Sequence, residues 1–310
     1  MNKITIIGAG SVGSTIAYTL AVNGAATEIV LIDINEDKSY GEAMDIRQGT
    51  MFVNPLTIYS GTYRDAVNSN IVILTSGVPR KPGQTRLDLA QTNVDITKKI
   101  IPEITKYAPD AKYIIVSNPV DILTYVFHKV SGLPENQIIG SGTILDTARL
   151  RSRLAEEYNI NQQDVHAYVY GEHGDTSFVP WSLATISNIE INTYHELANK
   201  ENSLNKEEIE KYIRESGGKI ISCKGATFYA VSLSVVHICK TLFCGTSTAL
   251  TVSSMMNGEY GISDVCLSTL NLVGHNGIKH KIMSPLTDEE ITLLRRSADS
   301  LKDVIRNLKI

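Results

Sequence analysis

The residues of this 310-residue chain best placed to do chemistry lie in the segment Gly171-Glu172-His173-Gly174-Asp175. A histidine framed by glycines reads as placed for its ring rather than for packing. An imidazole titrates near neutral pH, and when one ring nitrogen donates to a carboxylate the other can pass a proton to a carbonyl oxygen. Asp146, in Asp146-Thr147-Ala148-Arg149, is the candidate carboxylate. Arg149 follows it at i+3, a spacing that serves an ordinary helix salt bridge as well as it serves function. A planar guanidinium also clamps a substrate carboxylate at two points, which a lysine cannot do. Two more arginines, Arg80 and Arg86, lie in the loop Gly77-Val-Pro-Arg80-Lys-Pro-Gly-Gln-Thr-Arg86. Loop arginines are usually solvated, but three cations in seven residues beside an anionic substrate point to a lid that closes and excludes water. The set has the parts needed to reduce a 2-oxo acid.

The chain opens with Gly8-Ala9-Gly10-Ser11-Val12-Gly13. A lone G-x-G-x-x-G is weak, but this one follows a β-branched run, precedes a small-residue helix, and has Asp33 twenty residues beyond Gly13. In a dinucleotide site Gly8 permits the tight turn, Gly10 lets the backbone approach a pyrophosphate at the positive helix end, and Gly13 allows close helix–strand packing. Gly8, Gly10, Val12, Gly13 and Asp33 are the candidate cofactor contacts. Asp33 would accept from the ribose hydroxyls and repel a 2′-phosphate, and Ile34 and Asn35 bring no cation, so NAD is expected rather than NADP.

The elements that must carry these residues follow from periodicity. Strand-like runs at Lys3–Gly8, Glu28–Asp33, Thr57–Ser60, Asn70–Ser76 and Lys112–Ser117 alternate with helical stretches at Ser11–Asn23, Glu36–Phe52 and Asp88–Tyr107. That order predicts an α/β fold, a Rossmann-type doubly wound parallel sheet, over residues 1–140, and an α+β catalytic lobe over residues 141–310. The second part opens with a helix over Thr143–Tyr158 and a strand over Val165–Tyr170, then reads as mixed short elements and helices. Asn199–Glu215 reads as a solvated helix. Thr287-Asp-Glu-Glu290 reads as a capping box opening an amphipathic helix on Ile291, Leu294, Ala298, Leu301, Ile305 and Leu308.

Composition narrows the classes. With 29 basic and 33 acidic residues the net charge is −4, so no broad cationic surface for nucleic acid or an anionic membrane is expected. A strand-like run beginning at Lys3 leaves no room for a signal peptide, and the most apolar stretch, Tyr113–Phe127, is broken by Asn118, Pro119 and Asp121. A cytoplasmic protein follows. Cys223, Cys239, Cys244 and Cys266 form no C-x-x-C pair and stand among apolar residues, predicting reduced core thiols and no metal site.

On these motifs the chain resembles the lactate/malate dehydrogenase family from Lys3 to the terminal helix. The resemblance implies that His173 is the proton donor and acceptor, Asp146 its partner, Arg149 the anchor of the substrate carboxylate and Arg86 the lid residue that polarises the carbonyl. It also implies that Asn118, in Ser-Asn-Pro-Val-Asp, contacts the nicotinamide site. Glu172, Thr227 in Lys-Gly-Ala-Thr, and Arg-Leu-Asp-Leu after the lid resemble the lactate branch. Arg80 departs from it, matching instead the malate-type residue that recognises a second carboxylate. An unpaired guanidinium closed over a methyl group is costly, so oxaloacetate is expected ahead of pyruvate; L-lactate dehydrogenase activity is the alternative, favoured by overall likeness. Arg151 and His166 match positions that bind fructose 1,6-bisphosphate in bacterial lactate dehydrogenases, with ordinary surface pairing as the other reading. A homotetramer acting on a small 2-oxo or 2-hydroxy acid follows from the resemblance. A non-catalytic NAD-binding scaffold would keep Gly8, Gly10, Gly13 and Asp33 but has no need of His173, Asp146, Arg149 and Arg86.

Overall fold

The computed structural model describes residues 2–79, 85–198 and 203–310, and of Arg86 only its place in a helix. Arg80 therefore lies outside the described residues, as does the side chain of Arg86.

Four short apolar runs, β1 (Lys3–Ile7), β2 (Glu28–Ile32), β4 (Ile71–Leu74) and β5 (Lys112–Ile115), are buried almost throughout. Strands covered by helices on both faces need such continuous runs rather than alternation. With β3 (Thr57–Ser60) and β6 (Ile138–Gly140) they pair in parallel in the order β3-β2-β1-β4-β5-β6. The crossovers are α1 (Ser11–Val22), α2 (Glu36–Gln48), α3 (Arg86–Tyr107) and α4 (Val120–Ser131). The stretch Tyr113–Phe127 thus resolves into β5, a turn at Asn118-Pro119 and the start of α4. This is the Rossmann-type α/β arrangement expected from the sequence.

After β6 come α5 (Ile144–Tyr158), a small antiparallel sheet of β7 (Val165–His166), β8 (Thr185–Ile186) and β9 (Ile189–Glu190), then α6 (Ile191–Leu197), α7 (Lys206–Lys224) and α8 (Tyr229–Phe243). The strand expected over Val165–Tyr170 is only two residues long, although Tyr170 makes a further bridge to Phe178. Of the helix expected over Asn199–Glu215, residues 199–202 lie outside the described residues, and α7 begins at Lys206.

The larger correction is β10 (Thr248–Asn257), β11 (Ser263–Gly274) and β12 (Gly277–Lys281), where short elements and helices were expected. These strands extend the main sheet antiparallel, with Ser253 of β10 facing Gly140 of β6. Thr251, Ser253, Ser254, Ser268, Thr269 and Asn271 are buried in them. Polar residues buried on both faces erase the period-two pattern that marks a strand.

The chain closes with α9 (Asp288–Arg306), whose apolar stripe Leu294, Ala298 and Leu301 is buried as expected. Cys239 and Cys266 are buried thiols, whereas Cys223 and Cys244 are exposed, so only half of the cysteines are core residues. Around Cys223 the apolar neighbours misled because Ile220 and Ile221 are themselves exposed, whereas Cys244 caps the end of α8 just past the buried Leu242. No described helix is long and apolar enough to cross a membrane.

The expected capping box is present: Thr287 accepts from the Glu290 N–H at 3.2 Å, and Glu290 accepts from the Thr287 N–H at 3.0 Å. Thr287→Ala is expected to destabilise the protein by about 1 kcal/mol, read as a lower urea midpoint at unchanged slope.

Candidate active site

The loop carrying His173 is pinned by its own backbone. Gly171, at φ +93°, exchanges both backbone hydrogen bonds with Ser268 of β11 at 3.0 Å, and a Cβ there would lie 2.8 Å from Ser297 Oγ. The Glu172 N–H donates to Ser297 Oγ of α9 at 2.8 Å, and the His173 N–H donates to Asp121 Oδ2 of α4 at 2.7 Å. Successive peptide groups are thereby tied to three separate elements.

The side chain is fixed as firmly. His173 Nδ1 lies 2.6 Å from Asp146 Oδ2. A carboxylate accepts only, so Nδ1 carries the hydrogen and Nε2 faces the other way. Asp146 stands in the first turn of α5, and its Oδ1 accepts from Arg149 Nη1 at 2.7 Å. The ordinary i+3 salt bridge and the functional grouping therefore coexist. The Asp146 side chain is 7% exposed, Arg149 15% and His173 30%, so the triad grades from interior to solvent.

Electrostatics follow the geometry. The Asp146 charge raises the His173 pKa above its ordinary value, outweighing burial, which acts the other way. Burial pushes the Asp146 carboxyl up, but His173 and Arg149 outweigh it and hold the group below the usual carboxylate range.

A cavity of about 230 Å³ is lined by Asn118, Asp146, Arg149, His173, Arg214 and Thr227. It gathers onto one space five of the residues picked out from the sequence. Arg214 was not foreseen: it sits on α7, donates from Nη1 to the Ser177 carbonyl at 3.1 Å and pairs with Glu210 at 3.0 Å. Its i−4 glutamate made it look like one more solvated helix pair. Helix α7 comes close to the site here, since a Cβ on Gly217 would lie 3.7 Å from Arg149 Nη2. A second cavity of about 620 Å³ also touches His173, between the starts of α3 and α4 and the end of α9.

The glycine turn fits a dinucleotide. Gly8 has φ +104°, and a Cβ on Gly13 would fall 1.8 Å from the Gly8 carbonyl oxygen, so neither position accepts a side chain. At Gly10 a Cβ meets nothing within 4 Å, which leaves the N-terminus of α1 open to a pyrophosphate. Val12 is partly buried against the core beneath the turn. Asp33 directly follows β2 beside that turn, accepting from the Ala9 N–H at 2.6 Å and the Asn35 N–H at 2.9 Å. Thr75, not foreseen, bolts the turn to β4 by donating to the Gly8 carbonyl at 2.8 Å.

Away from this centre, Arg151 Nε donates to the Ala167 carbonyl at 3.2 Å and its guanidinium lies 5.4 Å from the centre of the Tyr168 ring, with His166 exposed on the same strand segment. Ser297 and Asp121, which hold the histidine loop, were also not foreseen. Each stands out as a polar residue on an apolar surface: Ser297 beside Leu294, Ala298 and Leu301, and Asp121 in a helix buried from Val120 to Phe127.

A histidine whose pKa is raised on folding adds stability that is present below its unfolded value of 6.5 and is lost as pH rises through the folded value. The unfolding free energy of the ligand-free protein is expected to fall on going from pH 6 to pH 9, and His173→Asn to remove that part of the slope in urea titrations at each pH.

The sequence profile of the lactate/malate dehydrogenase NAD-binding domain matches residues 2–140, and that of the lactate/malate dehydrogenase α/β C-terminal domain matches residues 143–309. L-lactate dehydrogenase of Acetivibrio thermocellus is 48% identical over 311 aligned positions, covering 100% of this chain and 98% of that protein. L-lactate dehydrogenase of Thermoanaerobacterium saccharolyticum is 45% identical over the full length of both chains. The crystal structure of the minor L-lactate dehydrogenase of Enterococcus mundtii superimposes with a TM-score of 0.96 at 37% identity, covering 100% of this chain and 99% of that one. With a glycine turn shaped for NAD and a carboxylate-held histidine beside an arginine, this chain belongs to the lactate/malate dehydrogenase family and is an NAD-dependent dehydrogenase.

Proposed function

We propose that this protein is an L-lactate dehydrogenase, interconverting pyruvate and L-lactate. The observation that carries the reading is the chain His173 Nδ1–Asp146–Arg149, with distances of 2.6 and 2.7 Å, opening onto one small cavity. Bound NADH supplies the hydride for the 2-oxo carbon. His173, its Nδ1–H fixed on Asp146, gives the proton on Nε2 to the carbonyl oxygen and recovers it in the reverse direction. Its raised pKa favours the protonated form at neutral pH, loaded for reduction. Arg149 spends one of five N–H donors on Asp146 and keeps an edge for the substrate carboxylate. By the family resemblance Arg86 polarises the carbonyl and Asn118 and Thr227 line the nicotinamide and substrate sides. Asp33 and the glycine turn hold the cofactor.

The expectation of oxaloacetate ahead of pyruvate is reversed. It gave Arg80 more weight than Thr227 and overall likeness, and took its guanidinium to face the substrate. The relatives matching from end to end at 45–48% identity are L-lactate dehydrogenases, and Thr227 on the cavity wall agrees with a small substituent. The specificity constant for pyruvate is expected to exceed that for oxaloacetate by about tenfold or more, a gap within reach of pocket contacts. His173→Asn should lower turnover by about 10²–10⁴-fold while NADH still quenches protein fluorescence normally. Oxaloacetate equal to or ahead of pyruvate would restore the malate reading, and an active His173→Asn would dismiss the mechanism.

The finer assignments are a cytoplasmic homotetramer responsive to fructose 1,6-bisphosphate. Four free thiols support a reducing compartment. Met51 and Phe52 after α2, and Tyr229 and Leu233 on α8, are exposed apolar side chains that support a subunit interface. Arg151, beside His166, supports an anion site. Millimolar fructose 1,6-bisphosphate is expected to lower the pyruvate KM or shift sedimentation toward the tetramer; Arg151→Ala should abolish the response, and no response in the parent protein removes the assignment.

A further inference from the structure

We propose that Asp121 is a second positioning carboxylate for His173, gripping its backbone N–H and setting a buried negative charge beside the histidine loop. The inference rests on His173 being the acid–base group. Asp121 stands in the first turn of α4 with its side chain almost wholly enclosed, at 3% exposure. Burying a carboxylate is costly unless the site uses it. A partial return comes from the positive end of α4. The specific return is the 2.7 Å hydrogen bond that Oδ2 accepts from the His173 N–H.

That hydrogen bond alone does not require a charge. An asparagine carbonyl would accept it equally well and cost less to bury. The second oxygen, Oδ1, meets no partner at hydrogen-bond geometry among the described residues, and the Ser253 hydroxyl that faces the carboxyl could accept from an asparagine amide as readily as donate to a carboxylate, so neither explains a carboxylate at this position. What distinguishes aspartate is its field at the imidazole. Asp121 acts in the same direction as Asp146 in raising the His173 pKa, while Arg149 opposes both. His173 is thus gripped from two sides by carboxylates, through its ring by Asp146 and through its backbone by Asp121.

The groups around Asp121 agree with this. Burial pushes its carboxyl up to about 6; the Ser253 hydroxyl of β10, the His173 N–H and the His173 ring pull it down, and Glu172 in the same loop pushes it up. The Cys266 thiol of β11, raised chiefly by its own burial, also feels its charge. The ionised form is therefore sustained by the Ser253 hydroxyl and by His173, through both its N–H and its ring. Above pH 6 the carboxylate is charged and the imidazole keeps its proton; as Asp121 takes up a proton on acidification, that support is withdrawn.

The test compares the parent protein with Asp121→Asn, which keeps the acceptor and removes the charge, and Asp121→Glu, which keeps the charge. The readouts are the NMR titration of the His173 ring, assigned by its loss in His173→Asn, and the pH profile of kcat/KM for pyruvate. Asp121→Asn is expected to bind NADH as the parent does, to lower the His173 pKa by about one unit, and to lose about tenfold in kcat/KM on the alkaline limb. Asp121→Glu should restore most of both. A His173 pKa that stays put in folded Asp121→Asn overturns the inference and leaves Asp121 a backbone anchor only. If Asp121→Asn does not fold, the parent decides: a second inflection of the His173 signals near pH 6 supports the inference and a single ionisation overturns it. Full activity in His173→Asn would instead overturn the proposed mechanism, a separate failure.

Discussion

The carboxylate of Asp146 is the constraint around which the second half of the chain is arranged. A charge exposed by only 7% is tolerable because one oxygen takes the His173 Nδ1–H and the other takes Arg149 Nη1. Removing either partner would leave a buried charge half compensated. The three residues therefore stand or fall together, and two different constraints must deliver them. Asp146 and Arg149 arrive together, one helical turn apart on α5, whereas His173 comes from a loop 27 residues later. Helix geometry sets the first spacing at no cost. Long-range structure must set the second.

That long-range structure is the antiparallel half of the main sheet and the terminal helix. Ser268 of β11 pairs with Gly171, Ser297 of α9 takes the next N–H, and Asp121 of α4 takes the one after. The buried serines and threonines that hide β10 and β11 from a search for alternating residues serve in part as this scaffold's contacts. Thr251 meets Thr147 of α5 at 2.9 Å, and Ser268 Oγ accepts from the Thr143 N–H at 3.1 Å. The hairpin thus holds the helix carrying Asp146 and the loop carrying His173 against one another, so the polar character that obscured its strands also fixes the site's geometry.

Legibility in the sequence tracked how local each determinant is. The parallel strands, the glycine turn with Asp33, the Asp146–Arg149 spacing and the α9 cap depend on neighbours within a turn or a βαβ unit, and all can be read from residue types alone. Asp121, Ser297 and Arg214 depend on partners 37 to 125 residues away, and a single sequence carries no pairing of that kind. The exposed Cys223 failed for a related reason. Apolar neighbours in a helix show that a face is apolar but not whether the protein's own core or another surface covers it.

The same division explains why chemistry and substrate preference separate in this protein. Proton delivery and carboxylate anchoring sit on α5 and a loop tied to three elements, a rigid arrangement that any small 2-oxo acid can use, because every such acid presents the same carbonyl and carboxylate. The group that tells one acid from another hangs from C3, away from both. On the proposed function, discrimination falls to side chains that face the substrate away from the Asp146 pairing, such as Thr227 on the cavity wall. A single arginine read from the lid is then a poor guide to substrate, because its effect depends on a closed geometry that the core chemistry does not dictate. Thr227 lines the same cavity as Asp146, Arg149 and His173, so the pocket's bearing on substrate choice rests on a residue whose place is set by the same elements as the chemistry.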